Sequence, residues 1–229
     1  MKKRVITVSR QFGSRGHTIA QSVAERLGIP FYDDKLITEV AKESGLSEEF
    51  IKQNEEYASH SNSFLYQLAM STVGNLGYPS VYQRLYDAQT EVIEQKAAEG
   101  ACVIVGRCAD YILRHREDCL HVFIHADDDH RAAHILATYG ESDKSMAQRI
   151  KDKDSRRRNY YHFHTDRDWG APSNYHMSLD SGILGVDLCV DLIVKAYEVS
   201  DEPKDVEPLL SYDPALQQSE AEDIKAGDE

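Results

Sequence analysis

The stretch from Val5 to Leu27 constrains this chain more than any other. A β-branched run, Val5 to Val8, reads as a buried strand. It enters a turn carrying Gly13 and Gly16, and the turn opens a helix. In that helix Ile19, Val23 and Leu27 recur at spacings of four, with Ala20 and Ala24 beside them. Such spacing gives the helix one apolar face. Strand, glycine-bearing loop and helix in that order make a phosphate-binding unit. Glycines let backbone N–H groups curl around an anion, and the helix N-terminus adds the positive end of its dipole. Set against G-x-x-x-x-G-K-[ST], Gln11 takes the first glycine position, Gly16 the second, His17 the lysine and Thr18 the hydroxyl. Two of the four fixed positions hold. The competing reading is ordinary turn and cap chemistry, in which Gly and Ser precede a helix for conformational reasons alone.

Further along, apolar runs alternate with helical periodicity. Gly28 to Asp34 predicts a short strand ending in carboxylates, Ala101 to Val105 a central parallel strand, Leu120 to Ile124 another, and Tyr175 to Leu179 a last one. Helices are predicted over 35–58, 62–99 with a break near Gly74 to Pro79, 109–114, 128–138, 143–161 and 184–197. In the last of these Leu188, Leu192 and Ala196 share one face. Alternating strands and helices imply an α/β fold, a mostly parallel sheet with helices on both faces, whose ligands bind beyond the carboxyl ends of the strands. Ser9 to Thr18, Asp33 with Asp34, and Gly106-Arg107 all follow predicted strands, so they converge on one rim.

Charge narrows the function classes. The net charge is −13, and residues 201–229 hold ten acidic side chains and two lysines among three prolines. That segment reads as a disordered acidic tail, which leaves residues 1–199 as one domain. An acidic body repels nucleic-acid polymers except at local arginine clusters. No apolar run approaches the ~20 residues of a membrane span, and the apolar run after Met-Lys-Lys-Arg is too short for a signal segment. A cytoplasmic location is expected. Cys102, Cys108, Cys119 and Cys189 include no C-x-x-C pair and read as reduced core thiols.

Asp154-Ser155-Arg156-Arg157-Arg158-Asn159-Tyr160-Tyr161 is the densest cationic cluster. On a helix Asp154 shares a side with Arg157 and Arg158, so the carboxylate can orient a guanidinium, and arginine forks suit phosphate oxygens. A solvated helix face with a weak ion pair is the bland alternative. Arg107, straight after a buried strand, calls for a ligand or a partner. Asp33 is either a ligand group or a helix cap for the segment from Lys35. His130 with His134 and His162 with His164 lack the companions of a structural zinc site. Trp169 reads as a flap pin or a loop anchor.

Together Gly13-Ser14-x-Gly16, Tyr32-Asp33, Val103-Ile104-Val105-Gly106-Arg107, Asp154-x-x-Arg157-x-x-Tyr160-Tyr161 and Trp169-Gly170-x-Pro172-x-Asn174-Tyr175 resemble the cytidylate kinase-like family over residues 4–198. The resemblance implies a P-loop NTPase-type sheet, a helical acceptor-binding region over about 37–98 and an arginine-bearing lid over about 143–175. It implies ATP with Mg²⁺ as donor and a nucleoside monophosphate as acceptor, CMP first. Gly13, Ser14, Arg15, Gly16, His17 and Thr18 then cradle donor phosphates, with Thr18 also holding the metal. Asp33, Arg107, Asp154 and Arg157 grip the acceptor, and Arg156, Arg157 and Arg158 close over the transferring group. The chain departs from cytidylate kinases at Val105 and Cys108, where acidic residues flank the Gly-Arg pair, and at His17, where the loop has lysine. Two other readings stay open: a nucleotide-binding regulator with little turnover, favoured by His17, and a kinase for another small metabolite.

Overall fold

In the computed structural model, residues 4–33 and 81–199 are described. The helices expected over 35–58 and 62–80, Asp34, most of the acceptor region and the acidic tail lie outside them. Five strands are present among the described residues: β1 (Val5–Arg10), β2 (Phe31–Tyr32), β3 (Cys102–Val105), β4 (Cys119–His125) and β5 (Met177–Asp180). The helices are α1 (Gly16–Leu27), α2 (Val81–Glu99), α3 (Ala109–Ile112), α4 (Asp128–Tyr139), α5 (Met146–Thr165) and α6 (Ser181–Glu198). A 3₁₀ turn, Pro172–Asn174, leads into β5.

All pairings are parallel, in the order β2-β3-β1-β4-β5. The first strand is therefore central: Val5 lies between Cys102 and Cys119, and Val8 between Val105 and Val122. Side-chain alternation along β1 divides the core into two layers. Ile6 and Val8 join Val103, Val122 and Ile124 beneath Ile19 and Val23 of α1 and Cys189, Val190 and Ile193 of α6. Val5 faces the other way, with Ile104 and Cys119, against Val92, Ile93 and Ala97 of α2 and Leu113 after α3. Burying each such aliphatic side chain stabilises the fold by roughly 1.5–3 kcal/mol. All four cysteines are buried free thiols, and burial pushes the Cys102 thiol up to about 12. No helix among the described residues is long and apolar enough to cross a membrane.

The closing helix differs from expectation. Leu188 and Leu192 are exposed, whereas Cys189, Val190, Ile193, Val194 and Tyr197 are buried. The helix carries two apolar stripes at a spacing of four that run side by side, and packing against α1 selects the second. Gly185, at φ 73°, breaks the helical path one turn inside. At the N-terminal end the Asp180 carboxylate accepts from the N–H groups of Gly182 (2.9 Å) and Ile183 (3.2 Å).

His164 joins α5 to α2. Its ring stacks on Tyr86 at 4.0 Å between centroids and meets the edge of Tyr160 at 4.5 Å. Burial pulls its pKa down to about 4. The unfolded chain takes up that proton near pH 6.5, while the native state refuses it until about pH 4. Unfolding then binds the extra proton, and stability falls as pH falls through that window. His164→Phe keeps a stacking ring and removes the titration. Its thermal midpoint should gain on wild type as pH drops from 7 to 4.5; parallel curves would exonerate His164.

Candidate active site

The loop Gln11–Arg15 is tied down before it can meet a ligand. Gln11 donates its N–H to the carbonyl of Ile124 (2.9 Å), and its side-chain oxygen accepts from the N–H of Ala126 (3.2 Å). The buried Ser14 hydroxyl lies 2.9 Å from the Gln11 carbonyl and 3.2 Å from that of Ile124, as a donor. Ser181, at the start of α6, donates to the Ser14 carbonyl (2.7 Å). Gly13 (φ 83°) and Arg15 (φ 57°) take left-handed backbone conformations, and Arg15 caps α1. For Arg15, a non-glycine, this costs roughly 1–2 kcal/mol, which the surrounding ties must offset.

Helix α5 reaches this loop through Asp154. Its carboxylate accepts from the N–H of Phe12 (2.8 Å) and pairs with the buried Arg131 of α4. Arg131 also donates through Nε to the Phe12 carbonyl (2.8 Å), so one arginine and one carboxylate hold both faces of the Phe12 peptide region. Arg157, one turn after Asp154, lies 3.8 Å from the same carboxylate and donates to the carbonyl of Arg10 (2.9 Å). Burial, followed by the nearby Arg10 charge, lowers the Arg157 pKa to about 9, while Asp154 opposes the shift.

On the other side of the loop His17 contacts the β2 end. Its Nε2 is 2.7 Å from Asp33 Oδ2, and its ring meets the edge of Phe31 at 5.3 Å. Arg10 Nη2 lies 4.0 Å from the other Asp33 oxygen. Beneath this rim the buried Asp110, just inside α3, accepts from Tyr161 Oη of α5 (2.7 Å) and Ser9 Oγ of β1 (3.3 Å). Burial pushes the Asp110 carboxyl up, against the pull of these hydrogen bonds.

Residues 5–183 match the model of the cytidylate kinase-like family. The chain belongs to that family. No match was found among curated proteins. Among solved structures, an uncharacterized protein from Eubacterium ventriosum is 26% identical with a TM-score of 0.66, covering 86% of this chain and 100% of its own. Shikimate kinase from Bacteroides thetaiotaomicron, 11% identical with a TM-score of 0.50, covers 86% of this chain and 99% of its own, and shares the P-loop NTPase fold.

Within this cytidylate kinase-like fold the expected site residues fall into three groups. Gly13, Ser14, Arg15 and Gly16 form the loop, with Thr18 exposed in the first turn of α1. Asp33, Arg107 and His17 lie at or beside the ends of β2 and β3. Arg107 is half-buried with φ 56°, and its carbonyl accepts from Gln89 Nε2 (2.9 Å). Helix α5 contributes Asp154 and Arg157 to the loop. Arg158 is exposed, and Arg156 is half-buried with its Nε shielded and without a hydrogen-bond partner among the described residues. Trp169 meets Phe123 of β4 edge-on at 5.3 Å, which anchors the segment after α5.

Sequence reasoning missed Arg10, Arg131 and Asp110. Arg131 follows three aspartates and looks like a surface ion-pair partner. Asp110 sits four residues beyond Gly106, a spacing that hints at the rim without revealing burial.

Proposed function

We propose that the chain transfers the γ-phosphoryl group of ATP to a nucleoside monophosphate, with CMP the first acceptor to test. The observation that carries this reading is the tied glycine loop at the C-terminal end of the central strand, with an arginine-bearing helix docked on it by Asp154 and Arg157. Phosphoryl transfer needs little covalent help from a protein; positioning and charge neutralisation dominate. Family membership is consistent with such chemistry.

In this proposal the amides from Gly13 to Thr18 receive donor phosphates. Arg107 and Arg157 hold the acceptor phosphate, with Asp33 on its sugar or base, and Arg156 and Arg158 neutralise charge as the lid closes. His17 positions Asp33. Mg²⁺ fits the oxygen donor present beside the loop: Thr18 offers an exposed hydroxyl. When bound with ATP, the ion neutralises phosphate charge.

ADP release, measured with ATP alone and then with CMP, other nucleoside monophosphates and small alcohols, tests the reading. Acceptor-dependent release is expected with a nucleoside monophosphate. Arg107→Ala should lower acceptor use about tenfold to a hundredfold, the effect of losing one or two charge-assisted hydrogen bonds. One observation favours a regulator with little turnover: His17 stands at the loop-lysine position and is turned onto Asp33. Absence of acceptor-dependent release with every nucleoside monophosphate would overturn the nucleoside monophosphate kinase reading.

A further inference from the structure

Arg10 occupies room that two glycines leave open. Gly16 is the first residue of α1, where a phosphate loop passes into its helix. A Cβ built there would fall 2.4 Å from Arg10 Cβ and 3.0 Å from Arg10 Cγ. The space that any side chain at 16 would need is thus filled by the stem of Arg10. At the far end of the same side chain, a Cβ on Gly106 would fall 2.4 Å from Arg10 Nη1. The guanidinium therefore lies over the C-terminal end of β3, having crossed from the phosphate loop towards Asp33, whose Oδ1 is 4.0 Å away.

Two further facts define its surroundings. Arg10 is about one-fifth exposed, so the group opens onto the rim instead of being sealed in the core. Arg157 donates to the Arg10 carbonyl, and its own charge is disfavoured partly by that of Arg10. Arg157 is held on the Arg10 backbone while its carboxylate, Asp154, is shared with Phe12 and Arg131, so an anion bound beside the two arginines relieves their mutual repulsion. His17 is occupied elsewhere, on Asp33 and Phe31.

We propose that Arg10 is the catalytic cation of the phosphoryl transfer, delivered from the last residue of the central strand past the start of α1 to the rim at the end of β3. This inference rests on the kinase reading above. In the step it assists, a phosphate oxygen of the nucleoside monophosphate bonds to the γ-phosphorus of ATP. The bond from that phosphorus to the β–γ bridging oxygen breaks, and its electron pair stays on ADP. A dianionic acceptor phosphate has no proton to lose. Arg10 contacts the non-bridging oxygens of the transferring group, where a fixed positive charge and a planar fork of donors are useful in the transition state.

Arg10→Met and Arg10→Gln both keep a stem over Gly16 and remove the charge. Steady-state ADP release with ATP and CMP, binding of ATP by calorimetry, and circular dichroism should be measured for wild type and both variants. The expected result is a fall in kcat of about a thousandfold, the lower range for removing a transition-state arginine, with KM for CMP changed less than tenfold. A folded variant with kcat within tenfold of wild type would overturn the role of Arg10 and leave the kinase reading standing. A wild type that binds ATP but shows no acceptor-dependent ADP release would overturn that reading and this inference with it. Failure of both variants to fold would make Arg10 a structural residue and also overturn it.

Discussion

Replacing Asp154 by alanine is expected to lower the unfolding free energy by about 3–5 kcal/mol, the usual cost of removing one partner of a buried ion pair. The reason is what stays behind. Arg131 is 95% buried by side chain, and its other carboxylate, Asp128, is largely solvent-exposed. Deleting Asp154 leaves the Arg131 charge poorly compensated, removes the acceptor of the Phe12 N–H and raises repulsion on Arg157. For a domain of this size the thermal midpoint should drop by roughly 6–20 °C. The double variant Asp154→Ala, Arg131→Met should recover part of the loss, because it removes the stranded charge as well; coupling of about 0.5–3 kcal/mol is typical of contacting groups. A single variant that melts within 2 °C of wild type would show that the pair contributes little.

Gly13→Ala is the second large effect, and Gly28→Ala is its internal control. Both glycines have positive φ, 83° and 64°. A Cβ on Gly28 meets nothing within 4 Å, so alanine there carries only the backbone term, roughly 1–2 kcal/mol. On Gly13 a Cβ would fall 2.8 Å from the Arg131 carbonyl oxygen and 2.8 Å from Ile135 Cδ1. The carbonyl belongs to the backbone of α4 and cannot step aside as a side chain can. Overpacking adds about 1–3 kcal/mol or more, so Gly13→Ala should be destabilised by at least twice as much as Gly28→Ala. Denaturant midpoints of the two variants decide it. Equal losses would mean that α4 yields freely and that the loop is not wedged against it.

The parts of the fold legible in the sequence are those with continuous apolar runs. Val5 to Val8, Ala101 to Val105 and Leu120 to Ile124 became β1, β3 and β4 with shifts of one or two residues at their ends. Among the described residues, the strand expected from Gly28 starts only at Phe31, because Gly28 ends α1 in a left-handed turn and Pro30 has no N–H to donate. Within the site, the loop glycines and the pairing of Asp154 with Arg157 could be anticipated from spacing. The stronger partners of Asp154 could not. The Phe12 N–H is a backbone group 142 positions away, and Arg131 is brought in by the packing of α4 against α5. Arg10 looked like an ordinary polar strand end because its importance depends on two absent side chains, at Gly16 and Gly106.

The central placement of β1 also bears on how the chain is made. Its neighbours in the sheet are β3 and β4, which begin at Cys102 and Cys119. A nascent chain therefore carries the Val5–Arg10 strand for about 100 residues before either edge can be paired, roughly 5–20 s at ordinary synthesis rates. Closing loops of that length precedes any reward from the contacts, which makes folding slow relative to a helical bundle of similar size. During that interval a flat β-branched strand is exposed to other chains. That unpaired strand is where association with other chains competes with native pairing.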